Sequence, residues 1–187
     1  MLTKSTKERI NISAITLFVN KGIKETSIRD IVLEVGLTEG AFYRHYKSKD
    51  ELVIKLFLEP YLKLTGEIEQ VLVQNGYFEQ KLARLIRFLC ESIDNEPILF
   101  QYLLITQHNY LKYIPPNAKT SFAIVEDFFQ KSIDDNSCKI QDPTFAATVF
   151  FGIIIQSFTS RIYKKIDKTM MKDYENILQV MKDAMIK

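Results

Sequence analysis

Apolar residues in this chain recur at three- and four-residue spacings along almost its whole length, and no stretch alternates apolar with polar residues as a half-buried strand would. That periodicity predicts helices, each with one face to bury. Ile10, Ala14, Leu17 and Phe18 fall at i, i+4, i+7 and i+8, a stripe that Gly22 is placed to end in a left-handed cap. Ile28, Ile31, Val32 and Val35 repeat at i, i+3, i+4 and i+7 behind a capping Thr26 or Ser27, and the pattern stops at Gly36. Thr38 then offers an N-cap for a third helix, so the pair of helices around "VGLT" is a tight helix-turn-helix. Ser48, with Glu51 three residues later, supplies a capping box for a fourth helix running from about 49 into the seventies, where Pro60 is placed to kink it.

Beyond residue 76 the spacing predicts helices near 77–94, 96–113, 118–134, 143–165 and 169–186. The breaks are "NGY", "NEP", "IPPN", "DDNSCKIQDP" and "KKIDK". The expected fold class is all-α: an N-terminal three-helix helix-turn-helix domain, residues 1–50, joined by the long fourth helix to a C-terminal helical domain, residues 51–187. No flexible linker is expected between them.

Composition narrows the function classes. A chain of 187 residues buries roughly 70% of its extended surface and folds without metal or disulfide staples. Cys90 and Cys138 form no ligand spacing, which points to a reducing, cytoplasmic setting. "MLTKSTKERI" lacks the apolar core of a secretory signal, and "FAATVFFGIII", residues 145–155, falls short of the roughly 20 residues of a bilayer span. A soluble protein without a membrane segment is expected. With no Gly-rich phosphate loop, nucleophile elbow or metal-spaced His or Cys set, no catalytic residue, metal or cofactor is expected. Charge is uneven: residues 1–50 hold nine Lys or Arg against six Asp or Glu, net +3, and the remainder 16 against 17, net −1. The front end is thus the part suited to an anionic partner.

The third helix, within "LTEGAFYRHY", residues 37–46, contains choices that packing alone does not favour. Gly40 costs a helix roughly 1 kcal/mol relative to alanine, and an exposed tyrosine beside arginine adds nothing to a core. On a helical projection Phe42 and Tyr46 share the packing side, while Glu39 with Tyr43 and Gly40 with Arg44 turn away from it. The outward face is short, aromatic and basic. Major-groove reading asks for this: a helix end without bulk, an arginine for guanine edges or phosphate, and a phenol within reach of a phosphate oxygen. Gly40 lets the backbone approach DNA closely, and Ala41 can touch a thymine methyl.

The stretch "TSIRDIVLEVGLTEGAFYRHYKSKDEL", residues 26–52, closely resembles the DNA-binding signature of TetR-family transcriptional regulators, and "ISAITLFVNKGIKETSI" before it is similar to the family's first helix. The resemblance implies a homodimer that binds a palindromic operator in double-stranded DNA, most simply as a repressor, and releases it when a small molecule enters the C-terminal domain. By position it implies phosphate contacts from Thr26, Ser27, Tyr43, His45 and Lys49, and a place at or near base edges for Thr38, Glu39, Gly40, Ala41 and Arg44. Two assignments stay open. Glu39 either accepts from a cytosine amino group or caps its helix, and His45 either meets phosphate or packs against the first helix.

The C-terminal part is expected to bind ligand and dimerise. Residues 143–165 are apolar nearly all the way round, so this helix needs cover on more than one side. With the last helix it suits a two-fold four-helix bundle, and Phe150, Ile154, Phe158, Ile177, Leu178 and Met181 are the expected dimer interface. An aromatic-rich middle suggests a pocket for a lipophilic or aromatic effector, with Phe88, Phe100, Leu104, His108, Phe122 and Phe151 as its expected lining. The alternative reading is a helical small-molecule-binding module whose front end meets a protein partner rather than DNA.

Overall fold

The computed structural model describes residues 4–187 and is helical throughout, with no strand among the described residues beyond a single Cys138–Ile186 bridge. The order is α1 (Thr6–Lys21), α2 (Ile28–Glu34), α3 (Glu39–Tyr43), α4 (Lys49–Val73), α5 (Phe78–Asn95), α6 (Pro97–Tyr110), α7 (Ser121–Asp134), α8 (Pro143–Ile162) and α9 (Tyr174–Met185). Short 3-10 turns follow α6 and precede α9. The chain divides into two compact units, Met1–Tyr61 with Ile98–Pro115, and Leu62–Pro97 with Pro116–Lys187.

Local chemistry explains the first unit's helix ends. Ser5 and Glu8 form a reciprocal capping box on α1, and Ser27 and Asp30 form one on α2. Of the two candidate caps, Ser27 is therefore the one used. Gly22 ends α1 at φ +97°, where its N–H still reaches the Phe18 carbonyl. Gly36 takes φ +64°, and the Leu37 N–H closes the turn onto the Val32 carbonyl at 2.8 Å. At α4 the Glu51 N–H is capped by Ser48 Oγ, while the Glu51 carboxylate accepts from the Lys47 N–H rather than from Ser48. Pro60 lies inside α4, which continues through it to Val73.

The core of this unit gathers Ile10, Ala14 and Phe18 of α1, Ile31 and Val32 of α2, Phe42 and Tyr46, and Leu52, Val53 and Phe57 of α4, all buried. Burying each large apolar side chain is worth about 1.5–3 kcal/mol. Polar fasteners add direction: Ser13 donates to the Ile31 carbonyl at 2.8 Å, and Arg9 donates to the Val35 carbonyl. Helix α6 also belongs here. Its Tyr102 is fully buried, stacks on Phe18 with ring centroids 6.0 Å apart, and donates to the Val53 carbonyl at 2.9 Å.

The second unit is built on α5, α7, α8 and α9 with the latter part of α4. Its core runs through Leu82, Leu85 and Ile86, then Val125 and Phe129, then Phe150 and Ile154, and Ile177 and Met181. Asp94 accepts from the N–H groups of both Met170 and Met171 at 2.8 Å, capping the turn before α9. Arg161 pairs with Asp173 at 2.7 Å beside it.

This packing corrects the expected dimer interface. Phe150, Ile154, Phe158, Ile177, Leu178 and Met181 are all buried inside their own unit, so none of them is a surface residue. The stripe of α8 that faces outward is a different one: Phe145, Thr148, Gly152 and Gln156 are exposed, with Val149 half-buried among them. Helix α8 is long and apolar enough to cross a membrane by length and composition, and 28% of its most apolar window is buried. Its outward apolar residues thus lie on a helix whose other side is already used.

Candidate nucleic-acid interface

Helix α3 is short because both of its ends are set locally. Thr38 holds the extended N-cap conformation without a hydrogen bond from its hydroxyl to the helix, and Arg44 closes the C-terminal end. The His45 and Tyr46 N–H groups both turn back to the Phe42 carbonyl, at 2.9 and 3.0 Å. One side of this turn is fixed inward: Phe42 is fully buried, its ring lies 5.6 Å from that of Tyr46, and the Tyr46 phenol donates to Asn11 Oδ1 at 2.6 Å. Burial pushes the Tyr46 phenol up to about 12.

With Phe42 and Tyr46 anchored, the other residues of the run point out. Thr38, Glu39, Gly40, Tyr43, Arg44 and His45 are exposed and Ala41 is half-buried. Tyr43 is 55% exposed, and its ring makes an edge contact on Phe42. A Cβ placed on Gly40 would meet nothing nearer than Thr38 Oγ1 at 3.7 Å, so no neighbour inside the protein requires glycine there. His45 is exposed rather than buried, and the Glu39 carboxylate, in the first turn of α3, makes no capping bond among the described residues.

The flanking residues divide. Ser27 is exposed and caps α2, which leaves its backbone at the surface. Thr26 is buried to 1% exposure, and its hydroxyl donates to the Gly22 carbonyl at 2.7 Å. The expected phosphate contact from the Thr26 side chain is therefore corrected: that hydroxyl is turned into the loop. Lys49 is half-buried, and its ammonium donates to the carbonyls of Ile23 at 2.8 Å and Thr26 at 2.9 Å. Two of its three N–H groups are already used inside the protein.

Besides Arg44, charge at this surface comes from residues that motif reading passed over. Lys7, Lys21 and Lys55 are paired with Glu59, Asp30 and Glu51. Lys24, Arg29, Arg44 and Lys47 are exposed and make no ion pair among the described residues. Arg29 lies in the first turn of α2, where a cation opposes the helix dipole and gains nothing for the fold. That misplacement was the signal available in the sequence.

The expected pocket residues fall in both units, with Phe100, Leu104 and His108 in the first and Phe88, Phe122 and Phe151 in the second. His108 is exposed and the other five are half-buried. Phe122 and Phe151 stack with centroids 5.9 Å apart. Two hollows within the second unit involve none of the six: one of about 680 Å³ beside Phe78, Lys81 and Phe128, and one of about 470 Å³ beside Ile93, Phe158 and Arg161. No cluster of three His, Cys, Asp or Glu groups able to hold a metal is found among the described residues.

An exposed short helix, seated through two buried aromatics on a glycine-turned partner helix, defines a helix-turn-helix domain at the head of an all-α chain. Residues 13–56 match the model for bacterial regulatory proteins of the tetR family. Over 82 residues it is 32% identical to the HTH-type transcriptional repressor KstR2 of Mycolicibacterium smegmatis, a match covering 44% of this chain and 40% of that protein. The chain spans less than half the length of the curated relatives it matches. Its fold is similar to that of the ketosteroid transcriptional regulator KstR2 of Mycobacterium tuberculosis, with TM-score 0.78, 17% identity and coverage of 99% of this chain and 97% of that one. It is also similar to the transcriptional regulator FadR of Bacillus subtilis, whose structure is a complex with stearoyl-CoA, with TM-score 0.71, 18% identity and coverage of 92% and 96%.

Proposed function

We propose that this chain is a ligand-responsive transcriptional repressor that binds a palindromic operator in double-stranded DNA as a homodimer. The observation that carries the reading is the split of α3: Phe42 and Tyr46 are buried, while Gly40, Tyr43 and Arg44 are exposed. An arginine there addresses guanine O6 and N7 or a phosphate, and Gly40 admits the backbone close to the groove. Thr38, Glu39 and Ala41 lie at base edges, Ser27, Tyr43 and His45 meet phosphate, and Arg29 and Lys47 add charge. Residues 1–50 are the DNA-binding domain, and residues 51–187 bind effector and dimerise. The protein works in the cytoplasm as a regulator rather than an enzyme.

The dimer uses the outward stripe of α8, from Phe145 through Gly152 to Gln156, because an apolar face of this kind on a helix already packed on its other side calls for a further partner. The effector is small and lipophilic. Support comes from the half-buried Phe100 and Leu104 of α6, and from relatives named for a ketosteroid or crystallised with stearoyl-CoA. Helix α6 carries Phe100 and Leu104 on the same segment as Tyr102, which touches Phe18 and Val53. An effector that moves α6 therefore bears on α1 and α4, shifting the population of DNA-competent heads. Gel-shift titration of the purified protein on DNA upstream of its own gene, with and without lipophilic compounds, tests the proposal.

A further inference from the structure

A lysine is a poor choice for the first turn of a helix, where the dipole already presents positive charge, yet α4 begins with Lys49. Its position is explained by what it holds. The α1–α2 loop turns so that the carbonyls of Gly22, Ile23 and Thr26 all need donors. The Thr26 hydroxyl serves Gly22, and the Lys49 ammonium serves Ile23 at 2.8 Å and Thr26 at 2.9 Å. The next residue, Ser27, is the N-cap of α2. Only one peptide unit therefore separates the carbonyl gripped by α4 from the start of α2.

We infer that Lys49 is a positioning residue, a strut that ties the first turn of α4 to the loop carrying the N-cap of α2, rather than a phosphate ligand. The strut does two things. It fixes the α2 N-terminus relative to α4, so that any displacement of α4 reaches α2 as well as α3. It also neutralises two carbonyl oxygens beside a surface that must accept anions. The inference rests on the DNA-binding reading for its effect on affinity, but the strut itself does not.

Lys49→Met keeps the stem and removes the donors, and Lys49→Arg restores them. Hydrogen exchange on the full-length protein without DNA is expected to show faster exchange at residues 23–31 in Lys49→Met, returning toward wild type in Lys49→Arg, while α5 and α9 are unchanged. Binding to the operator by Lys49→Met is expected to weaken about tenfold, in line with loss of hydrogen bonds from a charged donor. The slope of log affinity against log salt should stay at its wild-type value, whereas loss of a phosphate contact would reduce it by about 0.9. Unchanged exchange at residues 23–31, or a reduced salt slope, overturns the inference. If wild type binds no DNA, the functional reading fails, and the exchange experiment still decides the strut.

Discussion

Tyr46 donates a 2.6 Å hydrogen bond to Asn11, joining the last aromatic of the reading run to the first helix. Because the ring of Tyr46 also lies against Phe42, this one bond helps set the orientation of α3. Tyr46→Phe keeps the ring and is expected to cost about 1 kcal/mol in urea unfolding at neutral pH. The phenol's proton is held more tightly in the folded state, up to about 12 from an ordinary 10, so its contribution is intact below pH 10 and is lost as pH rises through 12. Wild-type stability should therefore decline over that window more steeply than that of Tyr46→Phe. Parallel profiles would show that the phenol is not held in this way.

Gly40 separates folding from binding. Open space around it means that Gly40→Ala fits, and alanine should raise helix stability by about 0.5–1 kcal/mol. The same methyl enters the gap reserved for the DNA groove. Thermal melting should therefore move up while operator affinity, measured by fluorescence anisotropy, falls. A variant that is more stable and binds equally well would place the DNA elsewhere.

Arg44 and Arg29 are both exposed and make no ion pair among the described residues, but their expected roles differ. Arg44→Ala should cost about 1–3 kcal/mol on the operator and flatten discrimination at one base pair of each half-site. Arg29→Ala should weaken operator and random duplex alike and reduce the salt slope by about 1. Competition binding against single-base operator variants at two salt concentrations distinguishes the two. The opposite assignment of effects would move base reading from α3 to α2.

The outward stripe of α8 predicts a contrast between neighbouring phenylalanines. Phe145 is 56% exposed and Phe150 is fully buried. Phe145→Asp should give a folded monomer in sedimentation equilibrium with an unchanged helical spectrum. Phe150→Ala should instead destabilise the fold by about 3–5 kcal/mol. A dimer that survives Phe145→Asp would put the interface elsewhere.

The front end was legible because its rules are local. Gly36 at positive φ and Phe42 four residues before Tyr46 each act within one turn of chain, so spacing alone places the turn and the buried pair, while it narrows the cap of α2 to Thr26 or Ser27. Lys49 was not legible in this way. Its partners lie 26 and 23 residues earlier, and a lysine quoted beside a DNA-binding motif looks the same whether it meets phosphate or a carbonyl. Thr26 failed for a related reason, since a hydroxyl next to the true cap bonds backward to Gly22. On α8, apolar residues on both sides leave the period without a phase, so Phe150 and Phe145 read alike until the neighbouring helices show which side is covered. The join of α6 to the first unit through Tyr102 spans 49 residues to Val53 and has no local signal at all.

The central claim is that the outward face of α3 reads DNA. Its most direct test is DNase footprinting of the purified protein on the DNA upstream of its own gene at moderate salt, beside Arg44→Ala. The account predicts a protected, two-fold symmetric site for wild type, with half-sites about one helical turn apart, and loss of that protection in the variant. Wild-type binding no stronger than to random duplex, or a footprint that Arg44→Ala leaves unchanged, would contradict it.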